Sequence, residues 1–250
     1  MELMTSRAFG RLVGVLSLSV VAALALTPVV LAGRPAPPRA PISFAGYSWA
    51  VKSSAGKVGP GPNYFSSSPS NVWVDSAGLH MKITRSGGRW YSAEVILQRN
   101  LGYGTYRWTL GSSVGSLDRN VVLGLFTWDD ANTDNHRELD VEVAKWGNAS
   151  DPTNAQYVVQ PYDAAGHLIR WTQPATAPTS QAFTWTPSSV AFETKAGAST
   201  IQSWTFTGSG VPRPGGENAR INLWLYQGRA PANGQPVEVV ISNFEFIPAP

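Results

Sequence analysis

From Ile42 onward the chain is a succession of short runs, alternating or rich in aromatic residues and separated by Gly, Pro, Asn and Ser. Almost no stretch carries the spacing of an amphipathic helix. The clearest runs are 71–75, 79–84, 90–99, 104–110, 120–128, 138–146, 155–162, 168–173, 182–185, 190–194, 201–206, 220–226 and 237–246. With no helices to cover a parallel sheet, so many strands predict antiparallel sheets packed as a sandwich or barrel. Ser76-Ala77-Gly78 and Lys195-Ala196-Gly197 read as hairpin turns, and there is no internal repeat.

One run departs from a purely structural pattern. Glu138-Leu139-Asp140-Val141-Glu142 places acids at every second position, so on a strand the three share one face while Leu139, Val141 and Val143 share the other. Apolar or alternating runs on both sides put this strand inside a sheet. Like charges packed there repel one another and cost stability, which argues for a site. Two carboxylates on one surface suit glycoside hydrolysis, in which a retaining enzyme holds them ~5–5.5 Å apart. The Cα atoms of Glu138 and Glu142 are ~13 Å apart at ~3.3 Å per residue, a gap two inward-leaning side chains close. Asp140, between them, is expected to hydrogen-bond the nucleophile and to keep one partner protonated. A solvated acidic face or a Ca²⁺ site is the alternative for the strand alone.

The N-terminus sets the compartment. Arg7 and Arg11 precede an apolar run from Leu12 to Leu26, followed by Pro28 and a small-residue end at Ala32, the layout of a signal peptide cleaved after Ala32. An uncleaved anchor is the alternative reading of the same run. Residues 33–41 form a Pro-rich linker, and 42–250 one domain. Cleavage lowers Lys+Arg from 19 to 17 and Asp+Glu from 16 to 15, a balance too mild for nucleic acid. With no Cys, an exported chain must hold itself by packing alone. Ten Trp and eight Tyr exceed what a core of this size needs, and flat aromatic faces suit sugar rings, so some are expected in a carbohydrate cleft. His80, His136 and His167 lack metal-site spacing, and no Ser/His/Asp arrangement stands out.

The chain resembles glycoside hydrolase family 16, the secreted β-glucanases and related galactanases with a jelly-roll fold. Glu138-Leu139-Asp140-Val141-Glu142 fits the family signature Glu-aliphatic-Asp-aliphatic-Glu. Ala93-Glu94, Gly102-Tyr103-Gly104-Thr105-Tyr106, Gly124-Leu125-Phe126-Thr127-Trp128, Phe183-Thr184-Trp185-Thr186-Pro187 and Ile221-Asn222-Leu223-Trp224 accompany it in order. The resemblance implies an all-β, concanavalin-like sandwich with its substrate cleft on the concave face. It implies Glu138 as nucleophile, Asp140 as its assistant and Glu142 as acid/base, with Asn63, Glu94, Asn222 and Trp224 contacting sugar. No cofactor or metal is expected, and a secreted monomer acting on a β-1,3 or β-1,3/1,4-glucan, with no stable membrane insertion, is the expected product.

Three departures stand out. Ile96 replaces the sugar-contacting Arg that lichenase-like members carry two residues after Glu94, which predicts an altered subsite. His136-Arg137 replaces an aromatic-acid pair before the signature, with little effect on Glu138 because neighbours on a strand point oppositely. Ser242-Asn243 stand where some members keep an acidic calcium ligand, so no tight structural Ca²⁺ is expected. A sugar-binding lectin on the same sandwich and a transglycosylase using the same residues are the rival readings.

Overall fold

The structure is a computed structural model that describes residues 39–133 and 135–250. The expected signal peptide and most of the linker lie outside the described residues. Arg39, at the linker's end, already donates to the backbone oxygens of Ser67 and Val72, so contact with the domain begins ahead of Ile42.

The strands are β1 (Ile42–Phe44), β2 (Tyr47–Val51), β3 (Tyr64–Phe65), β4 (Val72–Asp75), β5 (Gly78–Ser86), β6 (Arg89–Leu97), β7 (Gly104–Leu110) and β8 (Val121–Trp128). They continue as β9 (Leu139–Ala144), β10 (Ala155–Val159), β11 (Leu168–Trp171), β12 (Thr179–Trp185), β13 (Ser189–Ala196), β14 (Ser199–Thr207), β15 (Asn218–Leu225) and β16 (Val237–Pro248). The helical elements among the described residues are two 3-10 turns, Asn135–Arg137 and Tyr226–Gly228. The all-β expectation therefore holds. The short strands β1, β2 and β3 carry too little pattern to be read from sequence, since their pairing with β6 and with each other is what defines them.

Two antiparallel layers make the sandwich. One runs β2-β6-β15-β8-β9-β10-β11, the other β4-β5-β16-β7-β12-β13-β14, and the β5–β6 hairpin passes from one to the other. Both expected hairpin turns are present, with Asp75 paired to Gly78 and Ala196 to Ser199. Gly78 has φ +130° there, and a Cβ would lie 2.3 Å from the Ile241 oxygen, so only glycine fits.

Between the layers lies the core. Tyr157 of β10 stacks on Phe192 of β13 at 5.0 Å, and Trp49 of β2 meets Phe244 of β16 edge-on at 5.2 Å. Fully buried side chains of this kind contribute roughly 1.5–3 kcal/mol each, which is how a chain without disulfides is held. Of the ten Trp, Trp49, Trp108, Trp171 and Trp185 are in this core, and Trp90 and Trp204 pack against it. Trp73 stacks on His80. Trp128, Trp146 and Trp224 are left for the opposite face of the first layer.

Candidate active site

Period-two alternation splits three central strands in the same way. On β9, Leu139, Val141 and Val143 enter the core; on β15, Ala219, Ile221, Leu223 and Leu225; on β8, Val121, Leu123 and Leu125. The other face of these strands carries Asp140 and Glu142, Arg220, Asn222 and Trp224, and Gly124, Phe126 and Trp128. Together with Glu138, Glu94 and Lys52 they line a cleft of about 270 Å³. All three acids of the signature thus look into one hollow, and β9 sits between β8 and β10, inside the sheet.

The register explains the layout. Glu94, Asn222, Gly124, Glu142, Gln156 and Arg170 form one row across β6, β15, β8, β9, β10 and β11. The next row holds Ile96, Arg220, Phe126, Asp140 and Val158. Gly124 keeps the floor open opposite Glu142, because a Cβ there would be 2.5 Å from Asn222 Oδ1.

Burial and mutual repulsion shape the acids' titration. Burial, then the charge of Asp140, pushes the Glu142 carboxyl up to about 8; the hydrogen bond from Gln156 Nε2 (2.6 Å) and the charge of Arg170 work against that rise. Asp140 is held well above the usual carboxylate range by burial, by the charge of Glu138 and by the hydrogen bond the two share. Burial and the charge of Glu142 push Glu138 up to about 8 as well, while that same bond and the charge of Arg220 pull it back, so of the pair Glu138 is the first to give up its proton. Gln160 Nε2 donates to Asp140 Oδ2 at 3.1 Å, and its own oxygen accepts the Tyr162 N–H. Arg137 turns away from Glu138 to pair with Asp129 and the Arg213 oxygen, but it does so from the 3-10 turn Asn135–Arg137 and not by strand alternation, since β9 begins at Leu139.

At the other side of the cleft Glu94 is 1% exposed, with Oε2 on Lys52 Nζ at 2.8 Å; burial raises its carboxyl against the pull of Lys52. Its Oε1 and the Asn222 Oδ1 have no hydrogen-bond partner, an arrangement rare for buried oxygens unless a ligand is to supply the donor.

No family model and no curated protein matches the sequence. Solved structures match in three dimensions. A β-glucanase of Bacillus licheniformis superposes with a TM-score of 0.60 at 18% identity, covering 79% of this chain and 91% of that one. The fold is that of solved β-glucanases. A non-specific endo-β-1,3(4)-glucanase from family GH16 gives a TM-score of 0.63 at 14% identity over 84% of this chain and 86% of its own. A protein of Mycobacterium tuberculosis described as an immunostimulatory antigen and pseudo β-1,3-glucanase gives 0.60 at 19%, over 81% and 91%. At these identities the likeness establishes the β-glucanase architecture and leaves the chemistry to the residues.

Within that architecture Glu94, Asn222 and Trp224 line the cleft. Asn63 does not. It is 3% exposed, donates through Nδ2 to the Pro60 and Leu225 oxygens, and accepts from Ser92 Oγ and the Leu225 N–H, so its amide is spent on pinning the 59–64 loop to β6 and β15. His136 lies at the cleft's edge, stacked on Trp128 at 3.8 Å.

Sequence reasoning missed Arg220, Lys52, Gln156 and Gln160. Arg220, cross-strand from Ile96, brings a guanidinium to the cleft where Ile96 has none. Its Nη2 donates to Asp130 at 2.6 Å and its Nη1 lies 3.6 Å from Glu94 Oε1. The polar positions of Asn218-Ala219-Arg220-Ile221-Asn222 alternate with apolar ones, a signal that could have found it. Lys52 and Gln160 fall outside the strands, where alternation gives no sign.

Proposed function

We propose that the protein is an exported, retaining, endo-acting glycoside hydrolase of the family 16 type, cleaving a β-linked glucan. The observation that carries this reading is the acid triplet itself: Glu138, Asp140 and Glu142 on one face, all lining an open cleft that also offers Trp224, Phe126 and two oxygens without a hydrogen bond, Glu94 Oε1 and Asn222 Oδ1. Glu142, protonated near neutral pH, donates to the glycosidic oxygen as the Glu138 carboxylate attacks the anomeric carbon. The C–O bond breaks and a glycosyl ester forms on Glu138. Glu142, now a carboxylate, takes a proton from water, which attacks the ester and releases Glu138. Asp140 hydrogen-bonds Glu138, helping to keep it anionic before attack. Trp224 offers an apolar face to a sugar ring, while Glu94 and Asn222 accept from its hydroxyls.

The β-glucan substrate class follows neighbours described as acting on β-1,3 and β-1,3/1,4 linkages, and export follows the layout of residues 1–32. The test is release of reducing ends from a panel of β-glucans by the wild type and by Glu138→Gln and Glu142→Gln. Each substitution should cost about 10²–10⁴-fold in turnover with the fold intact. Substantial activity left in either variant would overturn the roles, and binding without release of ends by the wild type would favour a sugar-holding protein.

A further inference from the structure

Gln156 is 6% exposed and lies directly between Arg170 and Glu142 in the sheet register. Its side-chain oxygen receives two hydrogen bonds, from Arg170 Nη1 at 2.9 Å and from Trp146 Nε1 at 3.1 Å. Both partners are donors that cannot accept. Turning the amide over would press its NH₂ against two N–H groups, so one orientation is enforced and Nε2 must face Glu142 Oε2. Arg170 is itself fixed, with Nε on Thr153 Oγ1 at 2.8 Å and Nη2 on Asp151 Oδ2 at 2.9 Å and the Ala144 oxygen at 3.1 Å. A continuous set of directed bonds therefore runs from β11 through β10 to β9.

We propose that Gln156, held in one orientation by Arg170 and Trp146, is the positioning residue for Glu142, occupying Oε2 so that the acid proton resides on Oε1. The inference rests on the hydrolase reading of the cleft and deepens it. A carboxyl whose Oε2 accepts a bond from an N–H carries its proton on the other oxygen, so donation is confined to one atom. Once that proton has left, the Gln156 N–H faces a full negative charge and the bond strengthens. It opposes the groups that favour the neutral form, Asp140 and Glu138 beside it and Glu94 on β6, and acts with those that favour the charged form, Arg170 on β11, Arg220 on β15 and Lys52.

Removing the donor should make Glu142 hold its proton longer. In protein carrying ¹³C-labelled glutamate carboxyls, with Glu142 assigned by the signal lost in Glu142→Gln, the Glu142 midpoint is expected to rise by about one pH unit in Gln156→Leu. The alkaline limb of kcat/KM should move up with it and kcat should fall; the melting temperature should fall too, because Arg170 Nη1 and Trp146 Nε1 lose their acceptor, so the midpoint is the deciding readout. A role confined to packing would move the melting temperature and leave the midpoint where it is. Trp146→Phe, which deletes one N–H, should shift the midpoint the same way by less, and it is the variant read if Gln156→Leu does not fold. Unmoved midpoints in the folded variants would overturn the proposal. Because the titration needs no substrate, the two readings fail separately. An active wild type with an unmoved midpoint sinks the positioning role alone, and a moved midpoint in a protein inert on glucans sinks the hydrolase reading alone.

Discussion

Gly124 shows how much of the cleft depends on a single residue. It faces Glu142 across the β8–β9 pair and Asn222 across the β15–β8 pair, and its missing side chain is what leaves room between them. In Gly124→Ala the new Cβ would meet Asn222 Oδ1, the tip of a short side chain on a rigid strand. The expected result is a loss of roughly tenfold in kcat/KM, carried mainly by KM, about what one displaced hydrogen bond is worth. The melting temperature should hold to within a few degrees. Kinetics on a soluble glucan check this, and an unchanged KM would mean that Asn222 does not touch sugar. At this scale the sequence was most informative about the acids, because three carboxylates with aliphatic spacers carry both a period and a chemistry. It was misleading about Asn63, since a loop amide offers no local sign of whether its partners are backbone or ligand.

Among the elements, the second layer, β4-β5-β16-β7-β12-β13-β14, carries a charged cluster with a different consequence. His80 on β5 bonds Asp75 of β4 through Nε2 and Glu238 of β16 through Nδ1, each at 2.9 Å, and Lys82 pairs with Glu238. Burial would lower the imidazole, but the hydrogen bonds and charges of Glu238 and Asp75 outweigh it and raise the His80 pKa, while both carboxylates are lowered. A histidine raised on folding stabilises the protein below its unfolded value of 6.5, and that contribution is lost as pH climbs through the folded value. His80→Gln should therefore lower the melting temperature more at pH 5–6 than at pH 9, a difference that thermal scans at two pH values read directly; equal losses would rule out the charge. None of this was legible beforehand, because the pairing of β5 with both β4 and β16 is what gathers the cluster.

For the whole molecule, the site is held against stability. Glu142 has a folded pKa near 8 against 4.5 unfolded, so between those values the folded chain binds more protons than the unfolded one and its stability falls as pH rises. Glu142→Gln removes that titration. The variant should melt above the wild type at pH 8 and above, by roughly 2–4 °C for each kcal/mol of relieved strain, with the gain vanishing toward pH 4.5. The same substitution that ends turnover would thus make the protein more robust. A melting gain independent of pH would contradict this account.

The sequence by itself determined that this chain is all-β, in antiparallel sheets packed as a sandwich or barrel, and that three acids turn to a common face, because alternation with a period of two is a local property that survives any packing. Its aromatic excess was likewise readable as a total, though not as places. Which Trp lines the cleft, where the guanidinium beside Glu94 comes from, and what orients Glu142 were decided only by tertiary structure. Those facts depend on register between strands far apart in the chain, where Arg220 meets Ile96 and Gln156 meets Glu142, and register is set by the whole core packing at once.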